Sequence, residues 1–370
     1  MDASVLVKTI VWWGLGLGTV FGFIANKTNF CTMGAVSDVV NMGHWGRMRA
    51  WLLAIAVAMI GTNLLVYLGY LDLSKTIYTG NSFPWLAYIA GGLCFGVGMT
   101  LASGCGNKTL VRIGGGNLRS VVVFIFMGFA ALVTLRGILG AFRVKFLLAP
   151  AVSIQLDHGQ TLSAFLSGIG GLSPETLQLA IACVIGLAIL IFVFKDKKSR
   201  QSTDNNLAGL IIGLIVVGGW FVTGHLGFGE NPDTLEMTYL GTNSHLAESM
   251  SFIAPTAYTL EYWAYWTDIS TIVTFGVATI FGVGIGSFLY AMITKSFRWE
   301  AFSSPQDMFY HIIGATLMGF GGVTAMGCTI GQGITGVSTL SLGSFLALIS
   351  IVIGSSITMK IQYAIISREN

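Results

Sequence analysis

Residues 98–108 read GMTLASGCGNK. The apolar run leading into them, residues 84–103, has the length of a bilayer-crossing helix, which takes about 20 mostly apolar residues. It ends on a cysteine held between two glycines, Gly104-Cys105-Gly106. Glycine frees the backbone from helical angles, and its missing side chain admits close approach. The stretch therefore reads as a broken helix with a thiol at the break. The pattern returns later in the chain: GVGMTLASGCG at 96–106 aligns without a gap on GFGGVTAMGCT at 319–329. Gly96 then meets Gly319, Gly98 meets Gly321, Gly104 meets Gly327, and Cys105 meets Cys328. Glycines follow both cysteines, at Gly114, Gly115 and Gly116 in the first copy and at Gly331, Gly333 and Gly336 in the second.

Composition sets this repeat in a membrane. Of 370 residues, 54% are hydrophobic and only 9% charged, whereas a soluble domain carries about 25% charged residues. The chain reads as an all-α integral membrane protein whose main partner is the lipid bilayer. A net charge of +3 gives no reason to expect a nucleic-acid partner. Nine spans are expected, near 5–25, 50–71, 84–103, 118–139, 176–194, 207–223, 267–293, 308–326 and 343–366. The first of them reads as a retained span rather than a cleavable signal peptide. Between spans, 26–46, 104–117 and 327–342 are rich in Gly, Asn and Thr yet keep apolar residues at helical spacing. Such segments suit short re-entrant helices, because irregular backbone survives at membrane depth only where protein or a water-filled cavity surrounds it.

Basic residues orient the chain. Nine spans place Lys27, Arg47, Arg49, Lys108, Arg112, Arg119, Lys195, Lys197, Lys198, Arg200, Lys295, Arg298 and Arg368 on one side. The other side receives Lys8, Lys75, Arg143 and Lys145, with an acidic segment at 224–266 holding Glu230, Asp233, Glu236, Glu248 and Glu261. The basic side is expected to be cytoplasmic, which leaves the N-terminus periplasmic and the C-terminus cytoplasmic. KDKKSR at 195–200 marks a cytoplasmic linker near 195–206. One membrane transport domain, 1–370, then contains repeats at about 5–139 and 267–366. On this topology the two cysteine motifs enter from opposite sides, the arrangement by which inverted repeats build a site near the bilayer midplane.

The chemistry of such breaks favours anions. A helix that starts after a turn presents unpaired N–H groups and the positive end of its dipole, and two facing starts make an anion site without a buried Lys or Arg. A neutral thiol adds a weak donor and a polarizable sulfur, suited to a soft sulfur-bearing anion that must be held loosely and released. Cys31, in NKTNFCTMGAVSD at 26–38, sits in a similar setting, with Lys27 at the mouth and Arg298 of KSFRWEAF (295–302) as a loose counterpart. Gly104, Gly106, Asn107, Lys108, Gly327, Thr329 and Gln332 are the supporting loop and helix-start residues expected to orient an ion or cap the short helices. The blander alternative is that each cysteine is a small residue filling a tight corner. Cys94 and Cys183, in apolar runs without a break, read as packing residues. The five histidines do not cluster, and no Cys/His spacing suggests a metal. GGGN at 114–117 follows no strand and is not a phosphate loop. No cofactor is expected. A membrane thiol enzyme, a sulfurtransferase or disulfide oxidoreductase, is the competing class. It would need a reactive thiolate beside a base or a resolving thiol; there is no CxxC, and Lys108 alone lies near Cys105.

With NFCTMGA, GGLCFGVGMTLASGCG and GATLMGFGGVTAMGCTIGQGITG taken together, the sequence resembles the YeeE/YedE family of sulfur-compound transporters over nearly its whole length. The resemblance implies a bacterial inner-membrane importer of thiosulfate, or of a related sulfur or selenium species, with nine spans and short helices that dip inward. It implies that Cys31, Cys105 and Cys328 pass the ion by S–H···S hydrogen bonding without covalent chemistry. It also implies a small cytoplasmic TusA-like sulfur carrier as a partner; no such domain is fused here.

Overall fold

The structure is a computed structural model and describes residues 3–166, 173–232, 234–268 and 271–369. Asp233, residues 269–270 of the seventh expected span and the side chain of Arg368 lie outside the described residues. The chain is all-α apart from two small two-stranded pieces, 82–83 with 154–155 and 228–230 with 237–239. The helices are α1 (Ala3–Lys27), α2 (Thr32–Met42), α3 (Gly46–Tyr67), α4 (Trp85–Leu101), α5 (Gly106–Gly114), α6 (Leu118–Arg136), α7 (Ile138–Phe142), α8 (Leu162–Leu166), α9 (Pro174–Lys195), α10 (Lys197–Gln201), α11 (Thr203–Phe221), α12 (Ala254–Ala264), α13 (Phe275–Ile293), α14 (Pro305–Thr324) and α15 (Leu342–Glu369).

Among the described residues, eight stretches are long and apolar enough to cross a membrane, making this a multi-pass membrane protein. The expected span outside these eight is the eighth, α14, whose first turns carry Gln306, Asp307 and His311 and lower its hydropathy. It is nonetheless 20 residues long and packs against both α4 and α6. The expected seventh span starts late, at Phe275 rather than 267: residues 271–274 take no regular structure and Thr274 is extended. Two of the expected re-entrant segments hold α2 and α5, and 327–342 holds a widened turn at Gly331–Gly336.

In lipid there is little hydrophobic force between helices, so close backbone approach at small residues supplies the packing energy. Glycine does this work along every main seam. A methyl group at Gly98 of α4 would stand 2.6 Å from the Gly314 carbonyl oxygen of α14, and one at Gly321 would stand 2.5 Å from that of Gly91. On another face of α4, a methyl at Gly92 would meet the Ala347 carbonyl of α15 at 2.8 Å. Gly18 and Gly22 of α1 press in the same way against Thr279 and Val283 of α13. Helix starts are fixed by caps: Asn117 accepts the Ser120 amide at 2.9 Å ahead of α6, and Ser304 accepts the Asp307 amide at 3.1 Å ahead of α14. Such a cap contributes about 1 kcal/mol.

Candidate anion pathway

Three helices break in the same way, each two residues before a cysteine. α1 ends at Asn29 (φ 53°), α4 at Ser103 (φ 54°) and α14 at Met326 (φ 60°). In each case the next amide closes the helix with a six-residue bond: Phe30 N–H to the Ala25 carbonyl (3.1 Å), Gly104 N–H to Met99 (2.9 Å), and Gly327 N–H to Gly322 (2.7 Å). This is a left-handed C-cap, which satisfies the carbonyls a helix end leaves open. The left-handed residues are therefore Asn29, Ser103 and Met326, not the glycines expected to release the backbone. Left-handed backbone costs a non-glycine residue about 1–2 kcal/mol; the Tyr88 hydroxyl, 3.8 Å from the Met326 sulfur, helps to hold that site.

The glycines serve close approach instead. A methyl at Gly106 would lie 3.2 Å from Ile253 Cδ1, and one at Gly327 would lie 3.0 Å from the Gln332 side chain. Gly104 has ordinary clearance, with Arg112 and Lys108 side-chain atoms at 3.4 Å.

Each cysteine then opens a new turn. Cys31 is the N-cap of α2, its sulfur accepting the Gly34 amide at 3.4 Å. Cys328 accepts the Gly331 amide at 3.3 Å. Cys105, the N-cap of α5, donates its S–H to Asn107 Oδ1 at 2.7 Å. The second-half motif departs from the paired helix starts expected from sequence. After Cys328 the chain forms a widened turn, with the Thr335 amide bonding five residues back to Ile330 at 2.9 Å. Gly331, Gly333 and Gly336 weaken α-helix there, and Gly331 lets Ser251 close in.

The breaks converge on Cys105. Its thiol faces that of Cys31 and the hydroxyl of Thr329, the residue after Cys328. Cys31 is 6% exposed, and Cys105 and Cys328 are 0% exposed. Around them, Thr32 Oγ1, Asn107 Nδ2 and Thr329 Oγ1 are buried without a hydrogen-bond partner. Leaving such a group unpaired costs about 1–3 kcal/mol, so a cluster of them marks a place built to receive an acceptor. Gln332 turns back to donate to the Ala325 carbonyl at 2.5 Å, tying the Cys328 turn to the end of α14.

On one side of this point lies a cavity of about 590 Å³ reaching Cys31, lined by Arg47, Lys108, Arg112, Asn29 and Asp38 among others. Arg47 grips Asp38 through two bonds of 2.5 Å, Lys108 donates to Asn29 Oδ1 at 2.7 Å, and Arg112 donates to the Ser103 carbonyl at 2.8 Å. A smaller neighbouring cavity shares Ser103, Arg112, Asn117 and Glu300 and reaches Asp307 and His311 at the start of α14. His311 Nδ1 lies 2.8 Å from the Asp307 carbonyl, as expected of a satisfied polar residue. At the opposite end of α14, about 30 Å away at 1.5 Å per residue, a chamber of about 370 Å³ is floored by Met326 and Gly327. Entrances from the two ends thus flank the buried thiols.

A model of the family described as sulphur transport matches residues 27–357. The chain belongs to the sulphur-transport (YeeE/YedE) family. Two relatives carry the name thiosulfate transporter TsuA. The one from Escherichia coli K12 is 26% identical over 359 residues, covering 92% of this chain and 91% of its own length. The one from Spirochaeta thermophila is 26% identical over 354 residues, covering 94% and 97%. As a member of a transport family the chain is a transporter and not an enzyme.

Within this family member, the sequence-named residues fall into two groups. Cys31, Cys105, Cys328, Gly104, Gly106, Asn107, Lys108, Gly327, Thr329 and Gln332 lie at the three breaks. Lys27, the last residue of α1, and Arg298 stand off the wall of the cavity beside Cys31. Lys27 pairs with Asp204 at 3.9 Å, and exposed Arg298 bonds the Gly115 carbonyl through its backbone amide at 3.1 Å. Cys94 and Cys183 are half-buried and remote from any break. Sequence reasoning missed Arg47, Arg112 and Asp38, whose positions depend on packing of α2, α3 and α5. It also missed Phe252 and Ile253 ahead of α12, which reach Cys328 and Gly106. The only sequence signal for them was the break-like setting of an apolar pair before Pro255.

Proposed function

We propose that this protein imports thiosulfate across the bacterial inner membrane, passing the ion from Cys328 to Cys105 to Cys31. The observation that carries this reading is the convergence of three cysteine-bearing breaks on Cys105, with unpartnered buried donors beside it. Thiosulfate has a soft terminal sulfur and hard sulfonate oxygens. A protonated thiol suits the first, and Asn107 Nδ2, the Thr32 and Thr329 hydroxyls and the Lys108 ammonium suit the second. The start of α5 adds unpaired amides and a favourable dipole end. Phe252 and Ile253 make the narrow point apolar, so the ion is held by few contacts and can leave. No proton is removed from sulfur and no covalent intermediate forms.

The seams support an inverted pseudo-two-fold arrangement. α4 packs on α14 and α15, while α14 packs on α4 and α6; likewise α1 packs on α13 and α3 on α11. Exchanging α4 with α14, α6 with α15, α1 with α11 and α3 with α13 preserves these pairings. The second repeat then reaches back from 267–366 to include α11, with α9 as the added span that inverts it. The cation-lined cavity beside Cys31 becomes the cytoplasmic exit, where a TusA-like carrier is the fitting acceptor of the cargo. The N-terminus is periplasmic and the C-terminus cytoplasmic.

The test is growth. Cells lacking other sulfur-uptake routes, given thiosulfate as sole sulfur source, should grow when they express the wild-type chain. They should grow slowly with Cys105→Ser and not at all with Cys105→Ala. Failure of the wild type, or growth supported equally by Cys105→Ala, contradicts the reading. Competition of labelled thiosulfate uptake by selenite or sulfite separates thiosulfate from related cargoes.

A further inference from the structure

The chamber at the C-terminal end of α14 holds two charged groups that the thiol pathway leaves without a role. Arg143, Glu248, Tyr258, Ser251, Met326 and Gly327 are on its wall. Arg143 comes from the segment after α7. Its Nη1 donates to the Val323 carbonyl at 3.3 Å, and its buried Nε has no hydrogen-bond partner. Glu248 comes from the segment before α12 and accepts the Ser244 amide at 3.2 Å together with the Ser244 hydroxyl. Among the described residues no ion pair joins Arg143 to Glu248. The other titratable groups on the wall are Tyr78 and Tyr258. Arg136 and Glu261, which also act on Tyr258, are bonded to each other.

A guanidinium with a spare donor and a carboxylate held only by neutral donors therefore share one chamber on an anion path. Ionisable groups inside membrane proteins either pair or mark an ion or proton route. An ionised Glu248 would repel a divalent anion, whereas a protonated one becomes an O–H donor to it.

We propose that this chamber is an outer binding site that takes a small sulfur oxyanion together with one proton. Arg143 and the Tyr258 hydroxyl bind the anion's oxygens, and Glu248 carries the proton, taken from the solution on that side. The only bond made is the Glu248 O–H; when the anion moves past Gly327 towards Cys328 that bond breaks and the proton returns to the solution on the chamber side. The proposal rests on the transport reading for its cargo but has its own test.

Thiosulfate binding to the purified full-length protein in detergent, followed by calorimetry across pH, reads it directly. For one linked proton the wild-type affinity should fall about tenfold per pH unit once Glu248 ionises. Glu248→Gln, which keeps an acceptor for Ser244, should flatten that profile. Arg143→Gln should weaken binding about tenfold at every pH, and Arg143→Lys should restore part of it. Size-exclusion profiles confirm that each variant is folded. The proposal is overturned if folded Glu248→Gln keeps the wild-type pH slope, or if folded Arg143→Gln binds as tightly as wild type. Binding with the expected slope but no uptake into proteoliposomes would sink the transport reading and leave the chamber standing. Uptake with unaltered binding by Arg143→Gln would do the reverse.

Discussion

At the scale of single residues, the proposed relay turns on the Cys105 thiol and the side chain it meets. Cys105 donates to Asn107 Oδ1, while Asn107 Nδ2 stays unpaired and buried. The amide thus fixes the thiol's orientation and offers its own donor to an arriving oxyanion. Asn107→Leu removes both functions and also removes an unsatisfied buried group, whose loss offsets part of the damage to packing. Labelled uptake should fall about tenfold, the effect of losing one charge-assisted hydrogen bond of about 1.5 kcal/mol, while the melting temperature moves by only a few degrees. A collapse of the melting temperature would instead make Asn107 a structural residue. The cysteines themselves were legible in the sequence because two of them sit in a gapless repeat and the third follows a span in a similar polar setting. The left-handed residues were not: Ser103 and Met326 are poor formers of that conformation, and only the tertiary closure of each helix end selects them over the adjacent glycines.

At the scale of elements, glycine decides which helices can touch. Gly98 and Gly314 bring the α4 and α14 backbones together, whereas a methyl at Gly16 of α1 would meet nothing within 4 Å. Gly98→Val should therefore destabilise by about 1–3 kcal/mol or more through overpacking. Gly16→Ala should be neutral or stabilising by up to about 1 kcal/mol, the helix-propensity gain. Thermal melts of the two purified variants check the contrast, and equal melting temperatures would contradict the assigned seams. Most spans were legible to within a few residues because apolar length alone marks them. α14 shows why the ends were harder. Its polar start, with Asp307 and His311, is stabilised by its own cap Ser304 and by Arg119 of α6 at 3.3 Å, a partner supplied from another part of the chain. The helix start expected after Cys328 fails for a local reason, since three glycines favour a widened turn that packs on Ser251 and Trp51.

At the scale of the whole molecule, cavities at opposite ends of α14 flank the buried cysteines. The cations of the cavity beside Cys31 come from two separate helices, Arg47 from α3 and Lys108 and Arg112 from α5, so no local motif announces the set, although the charge pattern of the sequence puts all three on the side expected to be cytoplasmic. Reporter fusions check that orientation: a cytoplasm-active reporter should function at the C-terminus and not at the N-terminus, and the opposite result would invert the path. Arg47→Gln should slow release into the vesicle lumen and frees the buried Asp38 carboxylate to repel the anion; uptake should drop several-fold, and added salt should restore little of it because a buried charge is poorly screened. The central claim is that thiosulfate passes along neutral thiols without reacting with them. The most direct measurement is uptake of labelled thiosulfate into proteoliposomes by wild type, Cys105→Ser and Cys105→Ala, with mass spectrometry of the protein during turnover. The expected result is full uptake by wild type, a residual fraction with serine, at least a tenfold loss with alanine, and no persulfide or mixed disulfide on Cys31, Cys105 or Cys328. A trapped adduct that forms and decays at the rate of uptake, or unimpaired uptake by Cys105→Ala, would contradict it.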